Sequence, residues 1–294
     1  MKKPFFTIII VSYNPGDKLI ETVESVKKQT YCNYKILIKD GMSTDGSLEK
    51  LKAKYGITGD TDKSGEITIV ESCDNGIYHA MNIASSYLND NTESPRAGEL
   101  PSYIFFLNCG DTFRDENVLR KVRDCIITKI EKSGTTVPCI FYGDTFDCQT
   151  GHRVASNPRI DDFACYRNVP SHQACFYDER LIYKNPFDLK YKVRADYEQF
   201  LRCFYRDRAQ AVYVPVIIAN YEGGGFSDVN KKLSEEERRE IIKMYLPKKQ
   251  IRKYDIIRIF TFSALRTALS SNKLTSGVYN TLKSLIYKLK EKRN

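Results

Sequence analysis

Short runs of hydrophobic residues alternate with helical patterns along the first part of the chain. The runs are rich in isoleucine, valine, phenylalanine and tyrosine, which is typical of buried strands, and they cover residues 7–12, 35–39, 67–70 and 103–107. Helices are predicted from the spacing of Leu19, Ile20, Val23 and Val26 and over residues 45–55, 77–88 and 115–131. This alternation predicts an α/β fold in which a parallel, Rossmann-like sheet is covered by helices on both faces.

The pattern changes in the second part of the chain. A hairpin is predicted from the runs 139–146 and 153–155. The elements that follow are an irregular segment to about residue 194, a helix over 196–206, a strand over 211–218 and three glycines at 223–225. We therefore expect a mixed, loop-rich region after the parallel sheet.

Two amphipathic helical patterns occupy the C-terminal part of the chain. One covers residues 251–269, and the other places Leu274, Val278, Leu282, Ile286 and Leu289 on one face. The chain is thus predicted to consist of a folded body over residues 1–228 and a basic helical tail over residues 229–294.

The positive charge is concentrated in this tail. The whole chain carries +9, yet residues 248–294 hold twelve Lys and Arg against Asp255 and Glu291, a local balance of +10. The other residues sum to −1, which excludes a body that binds nucleic acid over a basic surface. Because the charge accompanies aliphatic faces, an anionic membrane surface or a partner helix is favoured over a nucleic-acid arm. Alternatively, the helices pack on the body and their lysines are only solvated.

Neither a membrane span nor a disulfide framework is predicted. No apolar run approaches the roughly 18 residues of a spanning helix, and the run at 5–11 is too short for a signal peptide and lacks a cleavage site. The nine cysteines are an odd number without a C-x-x-C pair, which argues against paired disulfides and a zinc knuckle. The sequence therefore favours the cytoplasm.

Polar residues follow each predicted strand of the first half: Ser12-Tyr13-Asn14, Asp40 to Asp45, Asp74-Asn75-Gly76 and Asn108 to Asp111. Because ligands of open α/β sheets bind outside the carboxyl ends of the strands, these residues are expected to share one site. Neither G-x-x-x-x-G-K-[ST] nor G-x-G-x-x-G is present, so a bound diphosphate needs another counter-charge. A divalent cation held by Asp111, Mn²⁺ or Mg²⁺, would supply it.

In these residues the sequence resembles glycosyltransferase family 2, whose members have the GT-A fold. The resemblance rests on seven segments in the family's order: Val11 to Asn14, Asp40 to Ser47, Asp74 to Asn82, Phe106 to Asp111, Ser171 to Gln173, Ala195 to Arg202 and Gly223 to Ser227. It implies inverting, non-processive transfer from a nucleotide sugar, with UDP expected, to a saccharide hydroxyl. Residues 1–112 would be the nucleotide-sugar-binding half and residues 113–228 the acceptor and catalytic half.

The resemblance also assigns residues to the donor. Tyr13 and Asp40 would contact the base and Asp74 the nucleotide region, with Asn14 and Asn108 in the same nucleotide-sugar-binding set. For Asp40 the alternative is a carboxylate that only hydrogen-bonds its own turn.

The metal site is reduced relative to the family pattern. Asn108 and Gly110 stand where many members carry carboxylates, which leaves Asp111 as the metal ligand. His172 is expected to compensate as a second metal ligand or a diphosphate contact, and the alternative is a hydrogen-bonded structural histidine. Asp111 itself has the alternative role of ordering its loop.

The resemblance implies that Asp196 is the general base. It opens a predicted helix with Gln199 three residues later, so its alternative role is that of a helix cap. Glu198 is expected to contact the acceptor or to be a solvated residue, and Gly224 lies in a loop expected to fold over the donor or acceptor.

Two classes of function follow. The first is a glycosyltransferase held on the inner face of a bacterial membrane, where it modifies a lipid-linked saccharide in the synthesis of a surface polysaccharide. The chain has no tryptophan, so it lacks the Q-x-x-R-W motif of processive synthases. The second is a catalytically dead nucleotide-sugar-binding module that docks on a membrane or a biosynthetic complex.

Overall fold

The structure, a computed structural model, describes residues 4–91, 101–134, 137–223 and 230–260, and positions 277, 278, 281, 282 and 286. Four parallel strands form one side of a central sheet: β1 (Phe5–Ser12), β2 (Tyr34–Asp40), β3 (Ile67–Glu71) and β4 (Ser102–Asn108). Strand β1 lies between β2 and β4, and β3 pairs with β2. The predicted parallel sheet is confirmed.

The other side of the sheet is mixed. Its strands are β5 (Thr112–Phe113), β6 (Cys139–Asp147), β7 (His152–Val154), β8 (Cys175–Asp178) and β9 (Gln210–Tyr221). The order across the sheet is β3-β2-β1-β4-β8-β6-β9-β5, and β7 forms a hairpin with β6. Strand β8 is antiparallel to both β4 and β6, whereas β9 is parallel to β6.

Helices cover both faces of this sheet. They are α1 (Lys18–Lys27), α2 (Ser47–Tyr55), α3 (Ile77–Asn91), α4 (Val118–Ser133), α5 (Asp162–Arg167), α6 (Glu179–Lys184), α7 (Ala195–Tyr205), α8 (Lys231–Tyr245) and α9 (Lys248–Phe260). In β1, Ile8 and Ile10 join the core formed with α1, α2 and α4, whereas Ile9 joins the core formed with α3, α6 and α7. Burial on both faces explains why the strand is a continuous hydrophobic run.

Strand β8 and the turn before it lie in a segment that the sequence predicts to be irregular. All four residues of β8 are buried, so the strand has no alternation of polar and apolar positions. Residues 172–174 form a 3₁₀ turn immediately before it. A fully buried strand of this length gives no periodic signal, which explains why the pattern does not reveal it.

Helix α8 packs on α7 as part of the main body. Ile241 and Ile242 lie in the same buried cluster as Phe200. The carboxylate of Glu237 accepts the N–H groups of Lys192, Val193 and Arg194, at 2.8, 3.0 and 2.8 Å. Residues 231–245 therefore share a hydrophobic core with α7, while the predicted boundary at residue 228 stays a prediction.

Helix α9 packs on α5. The hydroxyl of Tyr166 donates to Asp255 at 2.6 Å, Gln250 donates to Asp162 at 2.6 Å, and the ring of Tyr254 lies 5.3 Å from that of Tyr166. No helix in the described parts of the chain is long and apolar enough to cross a membrane. Most of the predicted tail beyond residue 260 lies outside the described residues.

We expect Glu237→Gln to lower the free energy of unfolding by about 1–3 kcal/mol, because it leaves buried backbone donors without an acceptor. Glutamine has one acceptor oxygen and would direct its NH₂ group at the N–H groups before α7. Urea denaturation followed by circular dichroism measures the effect. Glu236→Gln, on the exposed side of the same helix, should change stability by less than about 0.5 kcal/mol. Equal stability of the two variants would contradict this role of Glu237.

Candidate active site

Asp40 connects the loops that follow β1 and β2. Its fully buried carboxylate accepts the hydroxyl of Ser12 at 2.6 Å, and the amide and hydroxyl of Ser43 at 2.7 and 2.8 Å. These bonds fix the loop conformation at the sheet edge, in line with the structural role that the sequence left open. Contact between Asp40 and a nucleotide base stays a prediction.

Tyr13 and Asn14 lie on the same edge. The backbone of Asn14 has a positive φ of 46°, and its side-chain oxygen accepts the amide of Thr44 at 2.8 Å. The ring of Tyr13 is 69% exposed and lies against Gly41, where an added Cβ would come within 3.1 Å of both the ring and Asp74. Asn14 thus holds the loop, while Tyr13 presents a free aromatic face.

Asp74 is oriented by a buried lysine that the sequence analysis did not select. The ammonium of Lys39 is inaccessible to solvent and donates to Asp74 at 2.7 Å and to the carbonyls of Asp40 and Ser72 at 3.0 and 2.8 Å. The other oxygen of Asp74 accepts the amide of Gly76 at 3.0 Å. The available signal for this residue was a lysine directly after the apolar run 36–38 of β2, because a buried lysine needs a charged partner.

Asp111 lies in the loop between β4 and β5 and is 3% exposed. Its carboxylate accepts the amide of Glu222 at 2.9 Å, and the side chain of Gln173 lies beside it. Burial raises the pKa of Asp111 to about 6, although the Glu222 amide, the nearby His172 and Gln173 act in the opposite direction. The ionised carboxylate is therefore short of compensating positive charge.

The oxygens of this loop fit a divalent cation. Asn108 Oδ1, at the end of β4, is buried and has no hydrogen-bond partner among the described residues, and it lies three positions before the under-compensated Asp111 carboxylate. Among the residues placed by the structure, no three His, Cys, Asp or Glu side chains form a metal cluster. A hard cation here would complete its shell with phosphate and water oxygens, as Mg²⁺ does at phosphate sites.

Asp196 lies in the first turn of α7, across from this loop. One carboxylate oxygen faces Nδ1 of His172 at 3.0 Å, and the other accepts the hydroxyl of Tyr78 at 3.1 Å and the amide of Tyr197 at 2.8 Å. Burial alone would raise the pKa of Asp196, but His172, Arg194 and the Tyr197 amide outweigh it and hold the pKa below its ordinary value. The carboxylate is thus ionised at neutral pH, and 24% of the side chain is exposed.

His172 links Asp196 to Asn108 at the end of β4. Its Nε2 lies 3.1 Å from Nδ2 of Asn108, which can only donate. Nδ1 then carries the proton and donates to Asp196. Both ring nitrogens are engaged, so this arrangement leaves none for a metal, and the expected ligand or diphosphate role of His172 stays a prediction that requires the Asn108 amide to turn away.

The helix-cap alternative for Asp196 receives limited support. The N-cap residue of α7 is Arg194, whose side chain makes no capping bond. Three amides at the entry to the helix bind Glu237, and Asp196 accepts only the amide of Tyr197. The Glu237 contacts thus fix the segment that precedes α7, whereas within the first turn Asp196 accepts the amide of the next residue.

A cleft of about 560 Å³ opens beside Asp196. Its lining includes Asn108, Tyr78, His172 and residues of β7, α5 and the segment before α7. Glu198 is not part of this lining, because it pairs with Arg202 at 2.8 Å and accepts the hydroxyl of Tyr245 at 2.5 Å. This placement does not support the expected acceptor contact of Glu198. Gly224 lies outside the described residues.

A sequence model described as Glycosyl transferase family 2 matches residues 7–184, more than half of the chain. The chain belongs to glycosyltransferase family 2. Proteins named PGL/p-HBAD biosynthesis glycosyltransferase, from Mycobacterium bovis and Mycobacterium tuberculosis, are 28% identical to this glycosyltransferase over 232 residues, which are 78% of this chain and 81% of theirs.

Solved structures share the fold of this enzyme at low sequence identity. Residues 1–349 of S. aureus TarS in complex with UDP match with a TM-score of 0.56 and 14% identity over 82% of this chain and 70% of that one. The mannosyltransferase PcManGT from Pyrobaculum calidifontis, in complex with GDP-Man and Mn²⁺, matches with a TM-score of 0.52 and 13% identity over 97% and 86%. The match spans 42% of a longer TarS chain. These matches confirm the predicted GT-A fold.

We expect Asp111→Asn to stabilise the metal-free enzyme at pH 8. The pKa of Asp111 is raised from 3.8 to about 6, so the folded state binds a proton more tightly than the unfolded state. Stability is therefore lost as pH rises from about 4 to above 6. Asparagine avoids this loss, and urea denaturation should show a gain of about 1–3 kcal/mol at pH 8 and none near pH 3.

With Mn²⁺ and UDP present, we expect the wild-type enzyme to become more stable than Asp111→Asn. They should raise the melting temperature of the wild-type enzyme and of Asp115→Asn, a control at an exposed position after β5. They should leave Asp111→Asn nearly unchanged. An equal rise in Asp111→Asn would show that Asp111 does not hold the cation.

Proposed function

We propose that this enzyme transfers one sugar from a UDP-linked donor to a saccharide hydroxyl, with inversion at the anomeric carbon. The proposal rests on one observation: two carboxylates each contact one of two adjacent residues in the 3₁₀ turn before β8. Gln173 contacts Asp111 at the strand edge, and His172 contacts Asp196 in the cleft. Nucleotides bind outside the carboxyl ends of strands in such sheets, so Asp111 is on the donor side and Asp196 on the acceptor side.

The donor side offers recognition groups of the right kinds. The exposed ring of Tyr13 can stack on a base, and Lys39 holds Asp74 beside it. UDP and UDP-GlcNAc in the TarS complexes support uridine as the nucleotide. A divalent cation held by Asp111 and Asn108 would neutralise the charge that develops on the departing diphosphate.

The acceptor side offers a base for the attacking hydroxyl. Asp196 is ionised because its pKa is lowered, and the oxygen that faces His172 keeps a lone pair for the acceptor proton. The His172, Tyr78 and Tyr197 contacts hold the carboxylate in one orientation. A single displacement needs no enzyme nucleophile, so the attacking oxygen bonds to the anomeric carbon as the diphosphate leaves from the opposite face.

A binding module without catalysis is the second candidate. The observation that favours it is the absence of a three-residue metal cluster in the described part of the chain. The oriented, ionised Asp196 favours the enzyme, because nucleotide-sugar binding alone does not require it.

A lipid-linked acceptor at an anionic membrane is part of the same proposal. Helix α9 exposes Ile256 and Ile259, which are 55% and 73% accessible. Arg252 and Lys253 are exposed one turn earlier on the same face. Such a basic and apolar surface suits the boundary of anionic head groups, and it would hold the enzyme on the inner face of the cell membrane.

We expect Asp196→Asn to lower the turnover of the purified enzyme about 10²–10⁴-fold while UDP affinity stays the same. Asparagine can keep the bond to Tyr197, and the Asn108 amide can turn its free oxygen to a His172 that changes tautomer. Stability should therefore change little. A screen of UDP- and GDP-sugars for transfer or hydrolysis with Mn²⁺ identifies the donor and gives the wild-type rate.

The matched control is Asp188→Asn, a carboxylate in an exposed turn away from the cleft, and its rate should equal that of the wild type. Activity of Asp196→Asn close to that of Asp188→Asn would reject Asp196 as the base. Nucleotide-sugar binding without any turnover in the wild type would favour the binding module.

Flotation with phosphatidylglycerol vesicles tests the membrane surface. The full chain should float at low salt and be released as salt rises, since each basic residue near the head groups contributes about 1 kcal/mol. Changing Ile256 and Ile259 together to serine should reduce the bound fraction severalfold.

The control is the pair Val137→Ser and Leu189→Ser, which are 41% and 39% exposed elsewhere on the surface. This pair should float like the wild type. A wild-type chain that stays unbound at low salt, or two double variants that float equally, would reject α9 as a membrane contact.

A further inference from the structure

The rim of the cleft carries basic side chains that the mechanism above does not use. Arg167, at the end of α5, and Lys192, before α7, line the cleft with Asp196. Both are exposed, and neither has a carboxylate within 4.0 Å among the residues that the structure places. The guanidinium of Arg167 lies 5.9 Å from the centre of the ring of Phe163.

A third arginine holds these two segments together. Arg194 donates to Oδ1 of Asn168 at 2.9 Å and to the hydroxyl of Ser234 at 2.8 Å. Asn168 follows Arg167 directly, and Arg194 lies two residues after Lys192. The Arg194 bridge therefore places both unpaired cations on the same rim and fixes the backbone that carries them.

The acidic residues of the cleft are engaged in other contacts. Asp161 accepts the amide of Ala164 at 2.8 Å as the cap of α5, and Asp147 accepts the amide of Gln149 at 2.9 Å in a turn. Asp196 is bound to His172. None of the three forms an ion pair with the rim, so the cations remain available to an anionic ligand.

Helix α5 places this rim between the cleft and α9. Phe163 and Ala164 line the cleft, while Asp162 and Tyr166 of the same helix bond to α9. An anion on Arg167 would therefore lie between the catalytic carboxylate and the helix that carries the exposed apolar residues.

We propose that Arg167 and Lys192 form a subsite for a phosphate group of the acceptor. The guanidinium fork binds phosphate oxygens in pairs, and the lysine ammonium adds a second charge. This subsite rests on the proposed function, since it presents an acceptor saccharide to Asp196 by its phosphate. The phosphate belongs either to a lipid carrier or to a soluble sugar phosphate, two sources with the same chemistry.

Calorimetric titration of the full chain tests the subsite with UDP and Mn²⁺ saturating the donor edge. The probes are farnesyl phosphate and glucose 1-phosphate, with farnesol and methyl glucoside as uncharged counterparts. At least one phosphate should bind more tightly than its counterpart. The double variant R167Q/K192Q should weaken that binding about tenfold or more while its affinity for UDP is unchanged. Tighter binding of farnesyl phosphate identifies a lipid carrier, and tighter binding of glucose 1-phosphate identifies a soluble sugar phosphate.

The control R120Q/K132Q removes the same two charges from exposed positions on α4 and should bind like the wild type. The subsite is rejected if neither phosphate binds to the UDP-loaded enzyme, if R167Q/K192Q binds it unchanged, or if the control loses as much. A wild-type enzyme that fails to bind UDP rejects the proposed function itself, so the two failures are distinguishable.

Discussion

Strand β8 pairs with β4 on one side and with β6 on the other, and this double pairing joins the parallel half of the sheet to the mixed half. Phe176 of β8 stacks on Phe105 of β4 at 4.4 Å, so the junction lies deep in the core. The turn that enters β8 carries His172 and Gln173. Because neighbouring residues of one short turn contact Asp196 and Asp111, the geometry of the site depends on the position of this strand.

The two carboxylates differ in their surroundings, and this difference separates their chemistry. Burial dominates at Asp111 and raises its pKa, which makes a cation the natural partner of the ionised form. At Asp196 the hydrogen bonds and nearby positive charge outweigh burial and lower the pKa. One fold thus holds a carboxylate that suits a cation just after β4 and an oriented, ionised carboxylate beside the cleft.

The C-terminal helices are connected to this chemistry through α7 and α5. Helix α8 contacts α7 at two places. Glu237 of α8 accepts backbone amides just before the first turn of α7, and Tyr245 of α8 donates its hydroxyl to Glu198 of α7. Helix α9 contacts α5, which forms part of the cleft wall. Helix α9 therefore lies behind part of the cleft wall.

The sequence by itself determined the parallel half of the sheet and the polar residues at its edge, because hydrophobic period and the order of elements are local properties. Asp40 and Asp111 were selected because they follow predicted strands, whereas Asp196 and the family came from the resemblance of seven segments of the sequence. Only the tertiary structure decided their partners. Lys39 under Asp74, the two contacts of His172, the insertion of β8 and the turning of Glu198 toward Tyr245 all join residues far apart in the chain. Such contacts leave no period in the sequence, since packing between elements rather than local conformation sets them.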